Sequence, residues 1–334
     1  MTQATGHHNH QSKTILITGG CGFIGTNLVE YLAAGGYRIR ILDNLSTGNK
    51  EYLRQLQTKD SRLGAVDLII GDIRNRDEVR QAVYGTDAVV HLAAHTSVVE
   101  SLERPGEAWD INVNGTFNLL EACRDHGVTG FILASSNAVV GEQPPPIDET
   151  KLPQPLSPYG ASKLAGEALC STYCHSFGMK TVALRFANCY GRYSEHKPSV
   201  IPRIITWAKA GKPLTIYGDG TQTRDFVHTG DICRAIYLTL NTTQSISDGP
   251  QQSAAELYGS VFQIGSGVET SINQLAGLIE EIAGRKLAID YQPERKGEIK
   301  RNFSDISKAG RILGFKPGVT LRKGLEELWE LPAA

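Results

Sequence analysis

Tyr159 and Lys163 stand four residues apart at the start of a stretch with helical periodicity, so both side chains project from one helix face. A phenol with a pKa near ~10 is a poor base at neutral pH, and bringing it down by ~3 units takes about 4 kcal/mol of preferential stabilisation of the phenolate. A neighbouring ammonium supplies part of that, and a cationic ligand ring beside the phenol supplies more. Ser136 closes the apolar run GFILASS. Residues at the carboxyl ends of parallel strands line the ligand crevice of a doubly wound sheet, so a hydroxyl there can hold a substrate alcohol against Tyr159. The three side chains together suit reversible proton transfer to and from a hydroxyl. A tyrosine and a lysine at this spacing also occur on ordinary helix surfaces, and the chemical reading depends on what surrounds them.

The first apolar run, TILIT, passes directly into Gly19-Gly20-Cys21-Gly22-Phe23-Ile24-Gly25 and then a helical pattern. In this context one glycine permits the tight turn, another lets the backbone approach a pyrophosphate, and a third lets helix and sheet pack closely. Unpaired N–H groups at the helix start then face the phosphates. Asp43 closes the next strand 18 residues after Gly25, where a carboxylate accepts hydrogen bonds from a ribose diol and repels a 2′-phosphate. No arginine follows in Asn44-Leu45-Ser46-Thr47-Gly48, and Arg38 and Arg40 precede the carboxylate within its strand. The expected cofactor is therefore NAD and not NADP, and its nicotinamide is the cationic ring that Tyr159 requires. Asp72 and Ile73, after the run VDLII, are placed to read an adenine edge and face, or to form an ordinary turn.

The elements that must position these groups alternate along the chain: TILIT, NLVEYLAAGG, RIRILD, DEVRQAVYG, DAVVHLAA, TFNLLEACRDHG and GFILASS. That alternation of β-rich and amphipathic runs is the signature of βαβ units and predicts an α/β fold, a doubly wound parallel sheet. After a Pro-rich loop, the pattern resumes with a helix from about Tyr159 to Phe177 and a strand TVALRFA. We expect a polar disordered tail over 1–12, a Rossmann-type dinucleotide domain over 13–190, and a smaller α/β lobe formed mainly by 191–334. One strand, near 261–265, should return to the main sheet. In the lobe the expectations are a helix near IPRIITWAKAG, a strand LTIYG, a strand-turn-helix over RDFVHTGDICRAIYLTL, and a surface loop from Asn241 to Ser253.

The 334 residues are 40% hydrophobic and carry 34 basic against 35 acidic side chains, interspersed. A core of useful size is therefore available, and no global field draws the chain to nucleic acid or an anionic membrane. The six cysteines are scattered, with only Cys170 and Cys174 close, in a spacing that fits neither a zinc site nor a thioredoxin motif, so reduced thiols and no metal are expected. No apolar run approaches the ~18 residues of a membrane span and the N-terminus lacks a signal-like stretch, making a cytoplasmic location the expectation. His7, His8 and His10 read as part of the polar tail.

The chain resembles the extended short-chain dehydrogenase/reductase family, and within it the nucleotide-sugar 4-epimerases similar to UDP-glucose 4-epimerase. The resemblance is carried by TGGCGFIG, the DN after the second strand, LAA at Leu92 to Ala94, INVNGT around Asn112, SSNAVVG, SPYGASK, RFAN and TRDFVH, and runs from about Thr14 to Leu328. It implies that a tightly held NAD takes a hydride from C4 of a UDP-sugar while Tyr159 accepts the hydroxyl proton, before both return to the other face. By motif, Gly19, Gly22, Phe23, Ile24, Gly25, Asp43, Asn44, Asp72, Ile73, Leu92, Ala93, Ala94, Asn112, Ser135, Tyr159, Lys163 and Phe186 would hold the cofactor. Thr96, Ser97, Ser136, Asn188, Ser199, Val200, Ile201, Tyr217, Arg224, Arg295 and Glu298 would bind the nucleotide sugar. Arginine suits the diphosphate because its planar fork donates bidentately. A homodimer is implied by the resemblance alone.

Departures from the family pattern narrow the chemistry. Dehydratases carry an Asp-Glu pair where this chain has Asn137 and Ala138, and the UDP-xylose-forming decarboxylases carry a glutamate at Ala138, so elimination and decarboxylation are disfavoured. Val140 stands where the family usually writes tyrosine. Asn302 falls where glucose-specific bacterial epimerases place a tyrosine, which would admit an N-acetyl group, whereas Arg192, His196 and Lys197 would read a uronate carboxylate. The sugar is therefore glucose or galactose, an N-acetylhexosamine, or a uronate. Another NDP-sugar oxidoreductase or decarboxylase of the same family, a net reductase or a non-catalytic NAD sensor are the competing readings.

Overall fold

The computed structural model describes residues 13–59, 66–195, 197–245, 256–294 and 299–332. The N-terminal tail with its histidines, His196, Arg295, Glu298 and 246–253 of the expected loop lie outside the described residues.

Seven parallel strands form the central sheet. They are β1 (Thr14–Thr18), β2 (Arg38–Asp43), β3 (Asp67–Ile70), β4 (Ala88–His91), β5 (Gly130–Ser136), β6 (Lys180–Phe186) and the returning strand Ser260–Ile264. Their order is Ser260–Ile264, β6, β5, β4, β1, β2, β3. The winding reverses beside β1, which opens a crevice above the carboxyl ends of β1 and β4. Both faces of such a sheet are covered, which is why its strands read as nearly continuous apolar runs. Within β1, Ile15 and Ile17 enter one core layer and Leu16 the other, as the two-residue period of a strand requires.

Helices α1 (Phe23–Ala34), α2 (Lys50–Lys59), α3 (Arg76–Val83) and α6 (Gly115–Asp125) connect these strands, with two short helices, α4 (Val98–Glu103) and α5 (Pro105–Trp109), ahead of α6. The long helix α7 (Pro158–Phe177) is capped by Ser157, whose Oγ accepts from the Gly160 N–H at 3.1 Å, and it ends at Gly178 in the left-handed region. A Cβ at Gly160 would lie 2.5 Å from the Ala138 carbonyl oxygen, and one at Gly166 3.1 Å from Leu133. These two glycines let α7 lie directly on β5 and on the turn after Ser136.

The smaller lobe has its own core of Tyr190, Ile201, Ile204, Leu214, Ile216, Phe226, Leu275, Ile279, Leu325 and Leu328. It includes helix α8 (Val200–Lys209) and the parallel pair Leu214–Tyr217 with Ile289–Gln292. Helix α9 (Thr229–Ser245) instead packs Ile232, Ala235, Ile236 and Leu240 into the same layer as α1, and Ala309 and Leu313 join them. Helix α9 follows the strand Phe226–His228 with no turn between, and it continues through Asn241–Ser245, where a loop was expected. Its last turns are tied down: the Tyr37 hydroxyl donates to Asn241 Oδ1 at 2.9 Å and Thr242 Oγ1 donates to the Leu238 carbonyl at 2.7 Å.

Candidate active site

The glycine turn is shaped for a group that approaches backbone. Gly19 has φ +71°, and a Cβ there would stand 2.7 Å from the Ala93 nitrogen; a Cβ at Gly25 would stand 2.1 Å from the Gly19 carbonyl oxygen. Gly22 precedes α1 in extended conformation with no side chain capping the helix, so its first N–H groups face the crevice beside the half-buried Ile24. Phe23 is buried at the first turn. Asp43 is buried and accepts from the Cys21 N–H at 2.9 Å and the Leu45 N–H at 2.8 Å, so it fixes the turn while retaining lone pairs for a ribose. Arg40 is committed elsewhere, to Asp67 at 3.0 Å and to the Ala82 and Tyr84 carbonyls. The residues present therefore fit NAD: a cradle that a Cβ would fill, an open helix N-terminus and an acid with no arginine on it.

Asp72, expected at the adenine end, is held by its neighbours. Asn44 donates to Asp72 Oδ2 at 2.9 Å, and Arg74 grips both carboxylate oxygens at 2.9 and 2.7 Å, which holds the carboxyl well below its usual range. The Ile73 side chain is buried in the core, and a Cβ on Gly115 would lie 2.5 Å from its Cδ1. The Ile73 side chain is thus packed against α6, where the sequence leads one to expect an aliphatic face for the adenine.

Ser136 and Phe186 are register partners on β5 and β6, as are Ser135 and Arg185. Alternation therefore separates the two serines. Ser136 faces the crevice, its Oγ accepting from the Ala138 N–H at 3.2 Å and sharing a hydrogen bond with the Tyr159 phenol. Ser135 is turned away and donates to Glu167 Oε1 at 2.5 Å, so its hydroxyl is committed within the core. Lys163 donates to the Ala134 carbonyl at 2.9 Å, with its ammonium 6.0 Å from the Tyr159 ring centroid. Burial lowers Lys163 to about 8, opposed by Glu167 one turn further along α7.

Tyr159 departs from expectation in one respect. Its side chain is half-buried, and burial pushes its phenol up to about 12, with the Ser136 hydrogen bond pulling the other way. The protein's own groups thus favour the neutral phenol, because desolvation of a phenolate outweighs the hydrogen bond from Ser136.

Asn112 lies in a π-helical turn, Asp110–Asn114, between α5 and α6. The widened turn points its amide inward, a feature common at functional sites. It donates to the His95 carbonyl at 3.0 Å and Ser162 Oγ at 2.9 Å and accepts from the His95 N–H at 2.8 Å. Its side chain positions the loop after β4, while the nicotinamide contact expected of it is not what these bonds provide. Leu92, Ala93 and Ala94 line that loop, half-buried, with the Leu92 N–H on the Thr18 carbonyl and the Ala93 N–H on Thr18 Oγ1 at 3.1 and 3.2 Å.

A chain of buried hydrogen bonds that the sequence reading missed connects the cradle to α7. Thr18 Oγ1 lies 2.7 Å from His91 Nδ1, His91 Nε2 lies 3.0 Å from Thr116 Oγ1, and Thr116 donates to the Asn112 carbonyl at 2.5 Å. Since the Thr116 proton goes to Asn112, Nε2 of His91 carries the imidazole proton and Nδ1 accepts from Thr18. Ser162 continues the path by donating to the Tyr159 carbonyl at 2.7 Å. Burial and the Lys163 charge lower His91 to about 3. The one signal in the sequence was a lone polar residue inside the apolar run VVHLAA.

On the substrate side, Thr96 is exposed, and Ser97 caps α4, accepting from the Glu100 N–H at 3.1 Å. Asn188 is exposed and donates through Nδ2 to the Asp225 carbonyl at 3.3 Å. Asn137 donates to Ser304 Oγ at 2.9 Å, and Val140 is buried. The Asp225 carboxylate is fully buried and accepts from the backbone of Ser266 and Gly267 on Oδ1 and Oδ2 and of Ser304 on Oδ2, so it locks three segments at the lobe boundary. Ser199 and Val200 open α8, whereas the Ile201 side chain belongs to the lobe core. Arg224 reaches the Thr223 and Ile299 carbonyls at 2.8 Å. Tyr217, Thr223, Glu294 and Ile299 line a lobe cleft of about 780 Å³. Asn302 is buried, on the segment leading to Ser304.

The family model for GDP-mannose 4,6 dehydratase matches residues 16–328. A putative UDP-glucose 4-epimerase of Methanocaldococcus jannaschii is 35% identical over 94% of this chain and 96% of its own length. The crystal structure of UDP-glucose 4-epimerase from Thermotoga maritima, with UDP-glucose, superposes with a TM-score of 0.84 at 32% identity, covering 95% of this chain and 97% of that one. UDP-glucuronic acid 4-epimerase from Bacillus cereus, in complex with UDP-glucuronic acid and NAD, gives 0.83 at 33% identity over 95% and 98%. With the glycine cradle, the seven-stranded order and the Ser136, Tyr159 and Lys163 constellation in place, the chain belongs to the extended short-chain dehydrogenase/reductase family, alongside nucleotide-sugar 4-epimerases.

Proposed function

We propose that this protein is an NAD-dependent epimerase that inverts C4 of a UDP-sugar through a transient 4-keto sugar. The observation that carries the reading is the approach of Tyr159, Ser136 and Lys163 at the carboxyl end of β5, beside a cradle fit for a dinucleotide. NAD, when bound, supplies the hydride acceptor at C4. Tyr159 takes the C4 hydroxyl proton and later returns it, Ser136 holds that hydroxyl, and Lys163 orients the cofactor ribose and favours the phenolate. With Asn137 bonded to Ser304 and an alanine at 138, no acid–base pair stands beside Ser136 to drive elimination or decarboxylation. The relay then has one task, which is to move a proton out and back.

Incubation with UDP-glucose, UDP-GlcNAc and UDP-glucuronate in turn, followed by NMR of the products, tests this. A 4-epimer formed without consumption of free NADH supports it, and stoichiometric NADH consumption assigns a net reductase instead. A homodimer accords with the exposure of Val99, Leu102, Trp109 and Phe177 on α4, α5 and α7, and sedimentation velocity checks it. Among the described residues no helix is long and apolar enough to cross a membrane, and a cytoplasmic location accords with the six free cysteines.

A further inference from the structure

One carboxylate fastens three elements of the site. Glu167 stands on α7, the helix that carries Tyr159 and Lys163. Its Oε1 accepts from the Ser135 hydroxyl at 2.5 Å and from Arg185 Nε at 2.8 Å, and its Oε2 accepts from Arg185 Nη2 at 2.7 Å. Ser135 immediately precedes Ser136 on β5, and Arg185 immediately precedes Phe186 on β6. The two pairs are in register, and strand alternation sends Ser135 and Arg185 into the layer of α7 while their successors take the other side. All three gripped side chains are buried.

Apolar packing holds α7 against the sheet, but it has no direction and does not by itself fix how far the helix slides or turns. A bidentate pair between carboxylate and guanidinium, with a third hydrogen bond from a hydroxyl, is directional and geometrically specific. The register of α7 on the sheet is what brings the Tyr159 phenol to Ser136, and what brings Lys163 to the Ala134 carbonyl at 2.9 Å. The groups that bear on the Lys163 charge are Tyr159 and Glu167 on its own helix and His91 from β4, whose imidazole burial keeps neutral.

We propose that Glu167 is the positioning residue of the proton relay: through Ser135 and Arg185 it fixes the register of α7 on β5 and β6, and so the approach of Tyr159 and Lys163 to Ser136. The proposal rests on the 4-epimerase reading, in which those three side chains serve the C4 hydroxyl. Misplacing a reacting group by ~1 Å costs on the order of 10²-fold in rate, so a slipped α7 lowers turnover without loosening a cofactor held by the glycine cradle. Glu167 also supports the neighbouring ammonium: burial lowers Lys163 to about 8, and the Glu167 charge raises it. Without that charge Lys163 gives up its proton at lower pH.

The NAD-loaded wild type, Glu167→Gln, Ser135→Ala and Ser135→Thr are compared by 4-epimerisation kinetics on UDP-glucose, UDP-GlcNAc and UDP-glucuronate, by NAD content and by crystal structure. Glu167→Gln should lower kcat by about 10–100-fold with KM held within about twofold and NAD retained, and should move the alkaline limb of kcat to lower pH. Ser135→Ala should lower kcat by less and leave that limb in place, since no charge is lost, and Ser135→Thr should recover the rate. If Glu167→Gln does not fold, Ser135→Ala and its rescue by threonine decide the matter. Wild-type kcat in the folded variants, a loss of activity matched by an equal loss of bound NAD, or an unchanged distance between Ser136 Oγ and the Tyr159 phenol oxygen overturns the proposal. A widened distance in the variants, with no 4-epimer formed by the wild type from any of the three sugars, upholds the positioning role and rejects the reaction assigned to the protein.

Discussion

Glu167 grips Arg185 through both carboxylate oxygens, at 2.8 and 2.7 Å, one helical turn after Lys163 on α7. Both side chains are 4% exposed, and Ser135 adds a third hydrogen bond. Removing one member of a buried pair strands the other charge, so Glu167→Ala should destabilise the fold by about 3–5 kcal/mol. Glu167→Ala combined with Arg185→Met should recover part of the loss, read from urea midpoints of the single and double variants. Equal midpoints for wild type and Glu167→Ala would show that the pair contributes nothing net.

Tyr159→Phe removes the proton acceptor and preserves the ring. Turnover should fall by about 10²–10⁴-fold, the range of general acid–base contributions. Cofactor content, measured by denaturing release and chromatography, should stay at the wild-type level. Activity close to wild type would remove Tyr159 from the chemistry.

His91 links acid stability to the cradle. Its folded pKa is depressed to about 3, against ~6.5 unfolded, so its stabilising contribution is complete above ~6.5 and is lost progressively as the pH falls toward the folded value. The slope from this group reaches at most about 1.4 kcal/mol per pH unit. His91→Gln should flatten the fall in urea midpoint below pH 6.5. Parallel profiles for the two proteins would mean that other groups drive acid unfolding.

Gly25→Ala tests the cradle. The added methyl would stand 2.1 Å from the Gly19 carbonyl oxygen, backbone that cannot rotate aside, so α1 must shift off the turn. A cost of about 1–3 kcal/mol and loss of co-purifying NAD are expected, by thermal melt and by absorbance of the released cofactor.

Much of the site was readable because it is local. The glycine turn, Asp43 at the end of β2, and the four-residue step from Tyr159 to Lys163 depend on neighbours in the chain, and strand alternation with helical runs implied a parallel, doubly wound sheet. The partner of the Ser135 hydroxyl was not legible although its strand was, because adjacent residues of a strand face opposite layers and only the packing of α7 shows which layer holds Glu167. The packing of Ile73 was hidden for a similar reason: its neighbour, Gly115, lies across the fold in α6.

Sequence by itself determined the class of cofactor and the kind of proton chemistry, since both follow from residue types at short spacings within one strand or one helix. Tertiary structure decided which groups meet over long separations. It joined Thr18, His91, Thr116, Asn112 and Ser162 into one path, and it set Lys197 over the Phe23 ring while sending Arg192 to Glu30. The physical reason is that hydrogen bonding and desolvation depend on the surroundings a side chain finally occupies, and a run of letters records only its neighbours along the chain.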